Sequence, residues 1–380
     1  MAPPITRRGL ALGAAALAAL PRIARAADDT IKIGVMTPLT GPAVESGKMQ
    51  QNGIKIALDA VNIKGVLGRK LEIVTEDDQT TNPGATQGFE RLASRPDIAA
   101  IIGPIRSAQV NAIEAGVRKL GKPFMFGGTD PTLTQRGNPW LFRCRPNDSY
   151  SATIIAEFGF GQLQKQKWAV VSSAEAFGIN GSKALQAALR ERSITPLTMQ
   201  SFPNQTTDFT AVVDAVRASG ADVLSTYIAL ETDLGVFAQH LQRAGLNLPW
   251  VGSPSITSPQ SRTFAGEALF GSFGIADFAL DGTPTSGVFG AKYNALFGTI
   301  PDHQAAYAHD AVLLLARAMT DANGTEPAKV QEALLAIKGF AAAEGEYNFD
   351  DKGDGLRGYN IVKNEKGKIV FDRRIEVEPT

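Results

Sequence analysis

The sequence predicts an α/β protein of two lobes, each built on a parallel sheet, with a ligand cleft between them. Three observations carry that expectation. Strand-like alternation and helical stripes succeed one another through residues 30 to 117, the pattern restarts near Lys167, and no low-complexity linker separates the two runs. Short connections between two such bodies suit hinges about which they close on a ligand, and 380 residues suffice for two cores.

The elements follow in order. "TIKIGVMTPLTGP" opens with alternating apolar residues and ends in a Thr/Gly/Pro turn; "GIKIALDAVN" then sets Ile54, Ile56, Ala57 and Val61 on a helical stripe. "RKLEIVTEDDQT" returns to strand alternation, and a second helix is expected around Phe89 to Leu92. Ala99 to Ile102 suit a strand buried on both faces, and Val110, Ile113 and Val117 resume helical spacing after a break at Gly103-Pro104. Such a βαβαβ run places ligands beyond the carboxyl ends of its strands. Ser107, just after the break, reads as an N-cap, where it either only caps its helix or also helps the first-turn N–H groups hold an anion. In the second run, "KWAVVSSAEAFG", "ADVLSTYIAL" and "LPWVGSPSI" are strands, while "SKALQAALRERSI" and "LGVFAQHLQRAGL" are helices. "AAYAHDAVLLLARAMTDA" and "PAKVQEALLAI" follow as amphipathic helices, and "YNIVKNEKGKIVFDRRIE" closes the chain as a hairpin turning at Asn364 to Gly367.

Several function classes are excluded. Lys plus Arg and Asp plus Glu both number 38, so no net field draws nucleic acid or an anionic membrane. The Gly103 loop lacks the second Gly, Lys and Ser/Thr of a P-loop, and Gly159-Phe160-Gly161 meets Gln164 where a dinucleotide fingerprint needs its third Gly. There is no Gly-x-Ser-x-Gly elbow, and His240, His303 and His309 lack metal-ligand spacing. "DDKGDGLRGYNI" places Lys352 and Ile361 at calcium-ligand positions and is a Gly-rich turn instead. Asp77 and Asp78 end a strand pointing to opposite faces, which argues against a cooperating carboxylate pair. No enzyme, cofactor or metal is expected.

Residues 1–26 read as a cleaved export signal. Arg7 and Arg8 precede an apolar run from Leu10 to Leu20, and Ala24-Arg25-Ala26 supplies the small residues of a cleavage site. The paired arginines fit a twin-arginine signal and a general secretory one equally well. Cys144 is the single cysteine, so there is neither an internal disulfide nor a lipid-anchoring cysteine at the cleavage site, and it suits a small core residue. The expected address is the periplasm, without a membrane anchor.

"IKIGVMTPLTGP", "EDDQTTNPGAT", "IIGPIRSAQ", "GTDPTLTQRG", "FRCRPND" and "AYAHDAV" together resemble the leucine/isoleucine/valine-binding family of periplasmic solute-binding proteins, over about Thr30 to Val370. That resemblance implies two Rossmann-like lobes joined by three hinge crossings, near Pro146, Asp277 and Glu346. Residues 27–146 with 278–345 then form one lobe and 147–277 with 346–380 the other. It implies a monomeric receptor that delivers a solute to the permease subunits of an ABC importer. Residue by residue, it assigns Ser107 to the ligand carboxylate, the "GGTDP" loop of Gly127, Gly128 and Thr129 to both ends of an amino acid, and Phe177 to a ring over the ligand, although that ring also suits core packing. Arg106 suits a surface position first, and one residue before Ser107 it also offers a second carboxylate contact. The departures fall at Ser46, Leu230 and Pro254, which stand where amino-acid binders carry an aromatic hydroxyl, a Tyr and the Glu that neutralises the ligand ammonium. A buried ammonium without a carboxylate is costly. Unless Glu231 substitutes, the ligand is a carboxylate without an α-amino group, and Leu230 lines its apolar pocket. A ligand-sensing module and a hydrolase on the same scaffold are the competing readings; adjacent permease genes and ligand turnover discriminate them.

Overall fold

The computed structural model describes residues 30–377, so the export signal read over residues 1–26 lies outside the described residues. The first lobe alternates β1 (Thr30–Thr37), α1 (Val44–Val61), β2 (Lys70–Asp77), α2 (Asn82–Ala93), β3 (Ile98–Ile102), α3 (Ser107–Leu120), β4 (Phe124–Phe126), α4 (Thr132–Gln135) and β5 (Leu141–Arg143). The second holds α5 (Asp148–Glu157), β6 (Trp168–Ser173), α6 (Ala176–Arg190), β7 (Thr198–Phe202), α7 (Thr210–Ser219), β8 (Val223–Tyr227), α8 (Glu231–Arg243), β9 (Trp250–Gly252), α9 (Pro259–Ala265) and β10 (Phe273–Ala276). The chain then returns through α10 (Pro284–Phe297), α11 (His303–Asp321), α12 (Pro327–Ala336), β11 (Phe340–Ala341) and β12 (Glu346–Tyr347), and ends with β13 (Gly358–Glu365) and β14 (Lys368–Glu376) in the second sheet.

Both sheets carry the doubly wound order that alternating strands and helices impose. The first runs β2-β1-β3-β4-β5 with every pair parallel. The second runs β14-β13-β10-β9-β8-β6-β7, parallel from β7 to β10 and extended at one edge by the antiparallel β13–β14 hairpin. Each sheet is sandwiched between helices. Ile33, Val35 and Ile102 meet α1 and α11 on one face of the first, while Met36 and Ile101 meet α2 and α3 on the other. In the second lobe Val170 and Val223 face α5 and α6, and Val171 and Leu224 face α7 and α8. Cys144 is fully buried in the first core, and burial pushes its thiol well above the usual range.

Helices α1 and α11 pack so closely that a Cβ at Gly53 would collide with the carbonyl of Ala305. Local caps fix where helices begin. Thr81 accepts from Gly84 N at 3.0 Å at the start of α2, and Thr283 accepts from Ser286 N at 3.1 Å at the start of α10. Ser107 corrects the sequence reading: it is the first helical residue of α3, the extended Arg106 holds the cap position, and the Ser107 hydroxyl turns away to accept from Asp130 N at 3.2 Å.

The chain leaves the first core around Pro146 and comes back after Ala276. Its last passage falls later than near Glu346, because Tyr347, Phe349 and Leu356 all remain in the first core. The cause is a long-range tether: Arg143 N donates to Gly353 O at 2.8 Å, and Arg143 Nε donates to Asp354 Oδ1 at 2.7 Å. Only beyond Leu356 is the chain free to join the second sheet.

Candidate functional site

The carboxyl ends of both sheets face one another across a cavity of about 50 Å³. From the first lobe come Ile105, Arg106 and Ser107 after β3, Thr129 after β4, Arg145 after β5, and His303 and Gln304 at the start of α11. From the second come Glu175 and Phe177 after β6, Ala229 and Glu231 after β8, and Pro254 and Ser255 after β9.

Direct bonds hold the lobes together around this cavity. Arg106 Nη1 donates to Ala229 O at 2.7 Å, and its Nη2 lies 3.4 Å from Glu231 Oε2. Gln304 Nε2 donates to Glu231 Oε1 at 2.9 Å and to Ser46 Oγ at 2.8 Å, so one amide bridges the second lobe to α1. At the rim, Asn180 Nδ2 donates to Asp130 Oδ2 at 2.8 Å. Arg106 is therefore no freely exposed surface arginine; its bonds across the lobes leave its side chain only 14% exposed.

The charges in the cavity are unequally engaged. Glu175 caps α6, accepting from Phe177 N at 3.0 Å and Gly178 N at 2.8 Å, with Ser173 Oγ donating to it at 3.0 Å. Glu231 is taken by Gln304 and Arg106. Arg145 pairs with the buried Asp277, where burial alone would raise the carboxyl but the guanidinium holds it below the usual range. Burial and then Arg145 push His303 down to about 3, so its imidazole is neutral at pH 7. Arg106 is left incompletely used, because its Nε is buried without a hydrogen-bond partner among the described residues. It sits one residue before the N-terminus of α3, where unpaired N–H groups favour negative charge.

The expected site residues divide. Arg106, Ser107, Thr129, Phe177 and Glu231 line the cavity. Phe177 does so while packing edge-on against Tyr227, with ring centroids 5.7 Å apart, so its core contact and its cavity position coexist. Ser46, Gly127, Gly128 and Leu230 stand behind the wall. Ser46 is buried on α1 beneath Gln304, and the carbonyls of Gly127 and Gly128 turn away to Arg145 and Arg143. Leu230 is buried, leaving its neighbour Ala229 at the surface of the cavity. Sequence reasoning missed Arg145, Glu175, His303 and Gln304. Arg145 lies inside the "FRCRPND" stretch, whereas Gln304 is brought to Ser46 and Glu231 only by the fold. Among the described residues no cluster of three or more His, Cys, Asp or Glu could hold a metal, and no helix is long and apolar enough to cross a membrane.

Comparison with known proteins agrees with this architecture. An amino acid binding protein of Pseudomonas aeruginosa is 25% identical over 332 residues, covering 85% of this chain and 87% of the relative. A leucine-binding protein of Thermotoga maritima superposes with a TM-score of 0.86 at 22% identity, covering 91% of this chain and 99% of that one. An ABC-transporter solute-binding protein from R. palustris, solved in complex with benzoate, superposes with a TM-score of 0.82 at 18% identity, covering 90% and 95%. The family model described as periplasmic binding protein matches residues 30–368, nearly the whole described chain, and the protein belongs to that family.

Proposed function

We propose that this chain is a periplasmic receptor that closes on a small carboxylate-bearing solute without an α-amino group and presents it to an ABC importer. One observation carries the reading. The cavity offers an incompletely used cation, Arg106, beside Ser107 and the start of α3, while both of its carboxylates, Glu175 and Glu231, are already taken by donors of the protein itself. Arg106 fills beside Glu231 the place an ammonium would need. Support for the transport role comes from family membership, and the benzoate carried by one structural neighbour matches the ligand chemistry. The closing bodies are residues 30–146 with 278–356 and residues 147–277 with 357–377.

The test compares amino acids with their 2-oxo counterparts by calorimetry, from alanine and pyruvate to phenylalanine and phenylpyruvate. The 2-oxo acid of at least one pair should bind ten or more times tighter, about 1.4 kcal/mol. Amino acids winning by that margin, in a way that Glu231→Gln abolishes, would establish an amino-acid receptor instead. Ser107→Ala should weaken the preferred carboxylate by about 1–3 kcal/mol, the range for a hydrogen bond to a charged group. Unchanged affinity would remove Ser107 from the site.

A further inference from the structure

A second cavity, of about 310 Å³, lies beside the passage from β10 to α10. Both lobes and the connection between them build its walls: Phe278 and Leu280 on the connection, Ile300 and Asp302 ahead of α11, Arg262 on α9 and Phe371 on β14. It shares no lining residue with the cleft.

Four of its lining side chains are ionisable; Asp281 and Lys368 are exposed to solvent, whereas Arg262 and Asp302 each hold a buried polar atom that no other described residue answers. Asp302 is 6% exposed; its Oδ1 accepts from Gln304 N at 2.8 Å to start α11, and its Oδ2 has no hydrogen-bond partner among the described residues. Arg262 Nη1 donates to Gly367 O at 2.7 Å, while its Nε is buried and meets no acceptor among the described residues. Arg262 and Asp302 sense one another electrostatically but form no ion pair among the described residues. A buried donor and a buried acceptor left unmade are costly, and native structures rarely keep both without a reason. Phe278, Leu280, Ile300 and Phe371 give the same cavity aromatic and aliphatic walls.

We propose that this cavity is a second binding site, for a small zwitterion with an apolar body: an ammonium against Asp302, a carboxylate against Arg262, and a side chain on Phe278, Leu280 and Phe371. The volume suits such a molecule, and the few polar groups set among apolar walls are the usual make-up of a small-molecule pocket. A ligand with one charge would leave the opposite group unanswered. Burial, with Glu231 and Asp277 adding repulsion, pushes Asp302 up to about 7, a penalty that an adjacent ammonium removes. The site also touches the cleft through the chain itself. Asp302 precedes His303 and Gln304, which line the first cavity, so an occupant of one site bears on the wall of the other.

The probes are L-phenylalanine, 2-phenylethylamine and 3-phenylpropionate, added to the full mature chain, with backbone amide shifts locating each and calorimetry measuring it. L-Phenylalanine should move amides at 278–281, 300–302 and 367–371, and bind at least tenfold tighter there than either one-charge probe. Asp302→Asn, which keeps an acceptor for the cap of α11, and Arg262→Met should each weaken it tenfold or more. Ile300→Trp, at an exposed rim position, should block it sterically even if Arg262→Met fails to fold. Shifts confined to the surroundings of Ser107, Phe177 and Ala229, equal binding of the bare amine, or indifference to these substitutions would overturn the proposal.

Discussion

Replacing Arg143 by methionine should lower the free energy of unfolding by about 3–5 kcal/mol, the cost of breaking one side of a buried ion pair. The guanidinium is wholly buried and each of its nitrogens is engaged: Nε on Asp354 Oδ1, Nη1 on the carbonyls of Gly128 and Asp130, and Nη2 on Thr134 Oγ1 at 3.1 Å. Methionine refills much of the stem but leaves Asp354 with Asn147 Nδ2 at 3.0 Å and no cation. Urea unfolding measures the loss. Adding Asp354→Asn to Arg143→Met should recover part of it, because the pair then leaves no buried charge behind. A loss under 1 kcal/mol for the single variant would show that water reaches Asp354.

Arg106→Ala should weaken binding of the preferred carboxylate by about 2–5 kcal/mol, roughly thirtyfold to several thousandfold, as for truncating one partner of a buried charge pair at an interface. Its bonds to Ala229 O and Glu231 join residues of different lobes, so its loss also takes a clasp from the closed form. Stability of the separate cores should change little. Calorimetry beside urea unfolding separates the two effects. An Arg106→Ala protein that binds its carboxylate like the parent would strip the proposed site of its cation.

What the sequence showed depended on how each segment is buried. β3, β6 and β8 lie between helices on both faces, and β3 and residues 168–171 of β6 read as continuous apolar runs. Ser107 was found because strand ends in an α/β sheet are where ligands bind, whereas Thr129 was assigned through the family resemblance alone. β7 was missed: it is an edge strand whose Thr198, Met199, Gln200 and Ser201 are at least partly exposed, so it carries no apolar signature. The burial of Arg106, the bridge through Gln304 and the late final passage of the chain all arise from partners far apart in sequence. Ser46 and Gln304 are 258 residues apart, and Arg143 and Asp354 are 211 apart. No periodicity within a window reports such meetings.

The close seat of α1 against α11 bears on how the molecule is made. Gln50 and Gln304, facing residues of that pair, are separated by 254 positions, so the first lobe to be synthesised is completed only when most of the chain exists. Until then α1 keeps Ile54 and Ala57 without their cover from Ala308 and Ala311. Contacts of this span slow folding and prolong the exposure of apolar surface. A chain cut short before residue 303 retains both runs of strands yet lacks the helix that seals the first of them, and is expected to collect in aggregates rather than as a half-sized receptor.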